Sequence, residues 1–235
     1  MLYLDIGNTK IKVKSFRDKS WYAEYSGSVQ DVENCAGFLL GKNQPVTGIS
    51  VVNPARKVLD ETDGINIEWL THKSIPTQSL DYETPETLGM DRYMACLGAC
   101  VKAKKAVIVI DAGTACTIDY MDESGIFRGG VIMPGISLWE KALRENAPAL
   151  PEVVRDVPGI WPGKNTERSV RWGLTGAFVE AVNGMVRKYD HLASVWVTGG
   201  DADWLAKRIE RSAKVDSNIV FDGMQKLAER KPWFG

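Results

Sequence analysis

The chain is poor in the residues that protein metal sites draw on: its 235 residues include two histidines and four cysteines. His72 and His191 stand far apart among polar residues, so a zinc site is not expected. Cys35, Cys96, Cys100 and Cys116 sit in apolar company. Cys96 and Cys100 share a helical face, where buried thiols are expected rather than a metal pair. The cytoplasm is the expected address for such a chain. Long apolar runs are missing too: the start, Met1-Leu-Tyr-Leu, breaks at Asp5, too soon for a signal peptide or a membrane span. Net charge is −1 and the densest basic cluster is Lys102, Lys104 and Lys105. Nothing therefore marks a nucleic-acid or membrane-surface partner. A P-loop is absent. Its nearest match, Gly159-Ile-Trp-Pro-Gly163-Lys164-Asn165, has the wrong spacing, lacks Ser or Thr after the lysine, and places Pro162 where a backbone donor is needed. No dinucleotide fingerprint follows the first strand.

What is present is an ordinary globular composition, 44% hydrophobic and 25% charged, in a chain long enough to bury a core in one large or two small domains. Two segments share an unusual arrangement. Asp5-Ile-Gly7-Asn8-Thr9 follows the apolar run Met1 to Leu4, and Asp111-Ala-Gly113-Thr114-Ala115 follows Ala106 to Ile110. Alternating stretches come next, Lys10 to Phe16 and Cys116 to Met121. Each reads as strand, tight turn, strand, with a carboxylate at the mouth of the turn. Gly7 and Gly113 let backbone approach a bulky anion, and the amides and Thr hydroxyls that follow can donate to phosphate oxygens. Asp5 and Asp111 can hold the cation that travels with phosphate. One copy would read as a plain hairpin whose Asp bonds a turn amide; two copies point to a nucleotide-triphosphate clamp.

The periodicity predicts strands over Leu2–Ile6, Lys10–Phe16 and Ser20–Tyr25, then an amphipathic helix from Val29 to Leu40. Thr47–Val52 and Ile65–Leu70 read as strands, and Ser74–Glu86 as a loop. Pro85-Glu86 opens a helix that runs through Tyr93, Met94, Leu97 and Val101. Ala106–Ile110 restarts the pattern and Ile126–Met133 is its third strand. Helices are expected at Ser137–Glu145, Ser169–Lys188 and Asp203–Ala213, and a strand at Val195–Thr198. The plan occurs twice, which predicts duplicated α/β domains at residues 1–104 and 105–235 around a cleft.

Five motifs, in order, then carry a resemblance: Asp5-Ile-Gly-Asn-Thr9, Gly89-Met-Asp-Arg92, Asp111-Ala-Gly-Thr-Ala115, Gly129-Gly-Val-Ile-Met-Pro-Gly135 and Thr198-Gly-Gly-Asp-Ala202. The chain resembles type III pantothenate kinase over nearly its whole length. The resemblance implies two duplicated actin-like (ribonuclease H-like) ATPase domains around a nucleotide cleft. It implies ATP-dependent phosphorylation of pantothenate on its 4′-hydroxyl by a cytoplasmic homodimer with Mg²⁺ and a monovalent cation, K⁺ or NH₄⁺. On the same basis ATP meets Asp5, Ile6, Gly7, Asn8, Thr9, Lys10, Ile11, Lys12 and Thr114, and the monovalent cation meets Asp111. Asp91 takes the hydroxyl proton; Tyr82, Gly89, Met90, Asp91, Arg92 and Thr166 meet pantothenate; Gly199 to Ala202 lie near adenosine.

The residues agree with this chemistry, since phosphoryl transfer needs positioning and charge neutralisation more than covalent help. Taken alone, Asp91 would be a first-turn carboxylate favoured by the helix dipole. Arg92 suits an anion, Tyr82 is otherwise loop packing, and Thr166 also makes a good N-cap with Ser169 three residues on. Trp139, Trp161 and Trp172 fit core or dimer packing. The tail Lys231–Gly235 belongs to no motif and suits a dimer contact or disorder. The rivals are another acetate-kinase-like phosphotransferase and a regulatory relative that binds nucleotide without catalysis. Gly89-Met-Asp-Arg92 with Tyr82 speaks against the first. Asp5 and Asp91, both present, speak against the second.

Overall fold

The computed structural model describes residues 1–229; the tail from Lys231 lies outside them. Two compact units are formed. The first comprises residues 1–105, residues 121–129 and the chain from Ser217 onward. It holds β1 (Leu2–Ile6), β2 (Lys10–Arg17), β3 (Ser20–Ser28), α1 (Val32–Lys42), β4 (Val46–Ser50), α2 (Asn53–Asp60), β5 (Ile67–Trp69) and α3 (Met90–Ala103). The sheet order is β3-β2-β1-β4-β5. β1, β2 and β3 form an antiparallel meander, and β1, β4 and β5 run parallel. A central strand covered on both faces is apolar at nearly every position, and all five residues of β1 are buried. Leu2, Leu4 and Ile6 pack with Ile11 and Val13 against Val32, Cys35 and Leu39 of α1 and Leu59 of α2.

The second unit comprises residues 106–120 and 130–216. Its elements are β6 (Val107–Ala112), β7 (Ala115–Met121), β8 (Phe127–Pro134), α4 (Ile136–Asn146), α5 (Thr166–Arg171), α6 (Ala177–Val186), β9 (Ser194–Thr198), α7 (Ala202–Ala206) and β10 (Ala213–Val215), the last residue of β7 and the first three of β8 counting with the first unit. Strand order is β10-β9-β6-β7-β8. Counted along the chain, both sheets place their strands third, second, first, fourth, fifth, so the expected duplication is present at the level of topology. α8 (Ile219–Ala228) returns to the first unit and packs on α3.

Four elements depart from the sequence reading. Pro85 opens only a single 3-10 turn, Pro85–Thr87. Thr84 and Thr87 close it on themselves through their hydroxyls, 2.7 Å apart, and Thr87 also bonds the Thr84 carbonyl; such local bonds compete with helix propagation. The chain is then extended at Leu88 and Gly89, and α3 begins at Met90. The predicted Ser169–Lys188 helix starts earlier, at Thr166, and is interrupted by a π turn over Trp172–Gly176. The predicted Asp203–Ala213 helix stops at Ala206, and its expected last residue, Ala213, instead opens a strand paired in parallel with β9. α8 carries no prediction at all.

Candidate active site

In the first unit β1 and β4 end side by side, Ile6 opposite Ser50, and the first phosphate turn and Val51 follow directly on those ends. Open α/β sheets place ligands at the carboxyl ends of their strands. The first turn is closed by the Gly7 N–H donating to the Lys10 carbonyl at 3.0 Å. Asn8, Thr9 and Lys10 are exposed, while Ile6 and Ile11 face each other across the hairpin with buried side chains. Those two isoleucines therefore offer a ligand only their backbone. Asp5 is buried at 9% exposure and stands opposite Lys12 in the ladder.

The Val51 N–H donates to the Ile6 carbonyl at 3.0 Å, and Val51 borders the space above Gly89. Gly89 precedes α3 with backbone in the extended region. A Cβ there would lie 2.6 Å from Asp91 Oδ1, so glycine leaves room for that carboxylate. Asp91 Oδ1 accepts from the Arg92 N–H at 2.8 Å. Burial raises the Asp91 pKa above the ordinary carboxylate range, against the opposing pull of the Arg92 N–H and guanidinium. A carboxylate so placed is easier to protonate than a solvated one. Met90 is buried.

Arg92 is buried to 7% exposure. Its Nη1 donates to the Tyr82 hydroxyl at 3.4 Å, and the guanidinium lies over the Phe127 ring, 5.9 Å from its centre. Tyr82 packs on the same ring with centroids 6.0 Å apart. Tyr82 and Arg92, ten residues apart along the chain, are thus brought together, with Asp91 next to Arg92 in sequence. Phe127 was missed by the sequence reading, since a phenylalanine opening a strand gives no sign of the side chain it carries.

In the second unit the Asp111 turn is tighter. The Gly113 N–H donates to the Ala115 carbonyl at 3.2 Å, and Thr114 is exposed. Two glycines fence it. A Cβ on Gly135 would fall 2.1 Å from the Gly113 carbonyl oxygen, and the Gly135 N–H donates to the Thr114 carbonyl at 2.9 Å. Gly199, at φ +95°, would place a Cβ 2.5 Å from Asp111 Oδ1. Only glycine suits that conformation and that approach. Parallel pairing of β6 with β9 sets Asp111 opposite Thr198, so the second phosphate turn and the Gly199–Ala202 loop meet. Thr166 is exposed as the first residue of α5 and is not its N-cap. Asn165 caps instead, its side chain accepting from the Arg168 N–H at 2.9 Å; standing one residue earlier, outside the helix, it meets the orphan donor that an N-cap satisfies.

All four cysteines are free and buried, and burial pushes the thiols of Cys35 and Cys100 up to about 11. Among the described residues no group of three or more His, Cys, Asp or Glu could hold a metal ion. No helix among them is long and apolar enough to cross a membrane.

Comparison with known proteins bears on both units. The type III pantothenate kinase family model matches residues 1–188. A type III pantothenate kinase of Flavobacterium johnsoniae is 29% identical over 239 residues, 98% of each chain. One from Bacteroides fragilis is 32% identical over 238 residues, 96% of each chain. A crystal structure from Campylobacter jejuni, assigned to the Baf family of transcriptional activators, superposes with a TM-score of 0.69 at 24% identity, covering 98% of both chains. That last likeness bears on the fold alone. With the duplicated strand order, it identifies two actin-like, ribonuclease H-like domains.

Proposed function

The chain belongs to the type III pantothenate kinase family, and on that premise we propose the residue roles by which it works. The protein is an ATP-dependent transferase that phosphorylates pantothenate, the first step of coenzyme A biosynthesis. In the proposed arrangement Asp91 accepts the proton of the 4′-hydroxyl as that oxygen attacks the γ-phosphorus, whose bond to the β,γ-bridging oxygen breaks to release ADP. Arg92 offers its guanidinium to an anionic group, phosphate or the pantothenate carboxylate. Tyr82, Gly89, Met90 and Thr166 complete the pantothenate contacts. Residues Asp5 to Lys12 and Thr114 hold the ATP phosphates, through turn amides and Thr hydroxyls.

A divalent ion that arrives on ATP takes one or two carboxylates and keeps several waters. Asp5, a buried carboxylate beside an open turn, fits that demand for Mg²⁺. When bound, the ion neutralises charge on the phosphates. Asp111 is proposed to hold K⁺ or NH₄⁺, and the working unit is proposed to be a homodimer. What supports the catalytic reading is one observation: Asp91 adjoins an arginine that is buried and bonded to Tyr82, just after Gly89, whose side-chain space is bordered by Val51.

A coupled ATP-consumption assay tests the reading. ATP turnover is expected to be slow with Mg²⁺ alone and to rise on adding pantothenate, and to fall when sodium replaces potassium. Equal turnover with and without pantothenate would reduce the protein to a bare ATPase. Indifference to the sodium exchange would remove the cation from Asp111.

A further inference from the structure

Arg155 belongs to none of the sequence motifs, yet its guanidinium makes four hydrogen bonds to three side chains. Its Nε and Nη2 donate to the two carboxylate oxygens of Glu140 at 2.6 and 2.7 Å. Nη2 also donates to Ser137 Oγ at 2.7 Å, and Nη1 to Asp201 Oδ1 at 2.7 Å. The Arg155 carbonyl accepts from Trp204 Nε1 at 3.1 Å. One guanidinium therefore ties α4, through Ser137 and Glu140, to the Gly199-Gly-Asp201 loop.

On its other side that loop is held through its backbone. The Asp201 N–H donates to the Ala112 carbonyl at 2.9 Å, and Gly199 packs on Asp111 and Ala112 without room for a side chain. α4 in turn starts against the Thr114 carbonyl. A ring thus closes around the second phosphate turn, from Ala112 through Asp201, Arg155 and α4 to Gly135 and Thr114. Two glycines give the loop more freedom to lose than other residues would. Without the guanidinium, the Glu140 and Asp201 carboxylates would face each other uncompensated. Partly exposed ion pairs stabilise folds little, so fold stability is a weak reason for this one.

Resting on the reading of Gly199–Ala202 as the adenosine loop, we propose that Arg155 is a positioning residue for the nucleotide. It holds that loop, through Asp201, in the conformation that accepts the adenosine half of ATP. The planar fork of arginine matches the Glu140 carboxylate in two bonds while a third nitrogen turns to Asp201; a lysine ammonium carries the charge without that geometry.

The test is steady-state kinetics on Arg155→Met and Arg155→Lys, with inorganic tripolyphosphate as an inhibitor that lacks base and sugar. In Arg155→Met the KM for ATP is expected to rise about tenfold, a loss typical of one good interaction, with kcat, the pantothenate KM and tripolyphosphate inhibition all within about twofold. Arg155→Lys is expected to recover only part of the ATP affinity. Asp201→Asn, measured the same way, stands in should Arg155→Met not fold, and is expected to weaken ATP in the same selective manner. Gly200→Leu reads the adenosine assignment separately, since a Cβ at Gly200 meets nothing within 4 Å. If Gly200→Leu weakens ATP and the Arg155 variants do not, the positioning role is overturned and the adenosine reading stands. If Gly200→Leu leaves ATP untouched, the adenosine reading falls and the inference with it. A loss spread evenly over both substrates, kcat and tripolyphosphate, with a lowered melting temperature, makes Arg155 merely structural and overturns the proposal.

Discussion

At the scale of single residues, Asp91 joins its proposed chemistry to an energetic cost. A base must be ionised to take a proton, but burial favours the neutral carboxyl and raises its pKa. The acid limb of kcat/KM is therefore expected at a higher pH than a solvated aspartate would set. Asp91→Asn keeps the shape and the oxygen that accepts from Arg92, and it removes the basic site. Such a loss costs roughly a hundred- to ten-thousand-fold in rate, toward the lower end for a loose phosphoryl transition state. Stability moves the other way. A folded pKa above the unfolded one gives a contribution that is full below the unfolded pKa and lost as pH rises through the folded pKa. At neutral pH the ionised Asp91 thus opposes folding, and the Asn variant should melt no lower than the parent. A pH–rate profile with calorimetry on both proteins checks the pair of outcomes; near-full turnover in Asp91→Asn would leave Asp91 a helix-end charge. The two Asp-x-Gly turns were legible as motifs, because short loops of Gly, Asp and Thr announce themselves, whereas Asp91, Arg92 and Tyr82 stood out only through the family resemblance. Their neighbours were not legible: Phe127 beneath Arg92, and Arg155 beside Asp201, meet the motifs only through pairings distant in sequence.

At the scale of elements, the reading succeeded where local pattern and tertiary pairing agree, as in the two meanders, and failed where pairing overrides propensity. α8 is the clearest case. Its helix contains Gly223, and α3 contains Gly98, each a poor helix former. The structure explains both: a Cβ on Gly98 would fall 2.1 Å from the Ile219 carbonyl oxygen, and one on Gly223 would fall 2.0 Å from that of Met94. The two helices cross backbone to backbone, so the glycines serve contact rather than helicity. Trp21 and Phe221 extend the seam, with rings 5.5 Å apart, and Trp21 Nε1 donates to Asp222 at 2.8 Å. Propensity alone says Gly223→Ala should stabilise by about 1 kcal/mol. Overpacking costs about 1–3 kcal/mol, occasionally more, and here the obstructing atoms are backbone that cannot rotate away. Net destabilisation is expected. Urea unfolding in which Gly223→Ala raises the midpoint would show that the helices part easily, contrary to this packing.

At the scale of the whole molecule, the duplicated strand order was foreseeable because the same alternation of apolar runs recurs; a surface for the proposed homodimer was not. The stripe Val170, Leu174, Phe178, Val182 and Met185 suits an interface as readily as a core when only the sequence is known. Phe178 and Val182 in fact pack with Ile108, Ile110, Val195 and Val197, and Met185 lies against the same cluster. Trp139 joins them, edge-to-face with Phe178 at 5.7 Å. The opposite side of this helical stretch carries Trp172, Gly173, Ala177 and Glu180. There Trp161, 73% exposed, stands edge-to-face on Trp172, whose Nε1 donates to the Ile160 carbonyl at 2.8 Å. Exposed tryptophan is enriched at protein interfaces, where its large apolar ring can be buried. A two-fold interface repeats each residue, so one introduced charge appears twice. Ala177→Glu adds that charge on the outer face without entering the core. It is expected to shift sedimentation toward monomer and to lower kinase activity in the same proportion, with the melting temperature of the monomer retained. Phe178→Glu, one residue on, should unfold the second unit instead. The homodimer proposal has activity depend on association, so a fully active monomer at assay concentration would break that link. Loss of activity with the dimer intact would move the role of this face from assembly to the site itself.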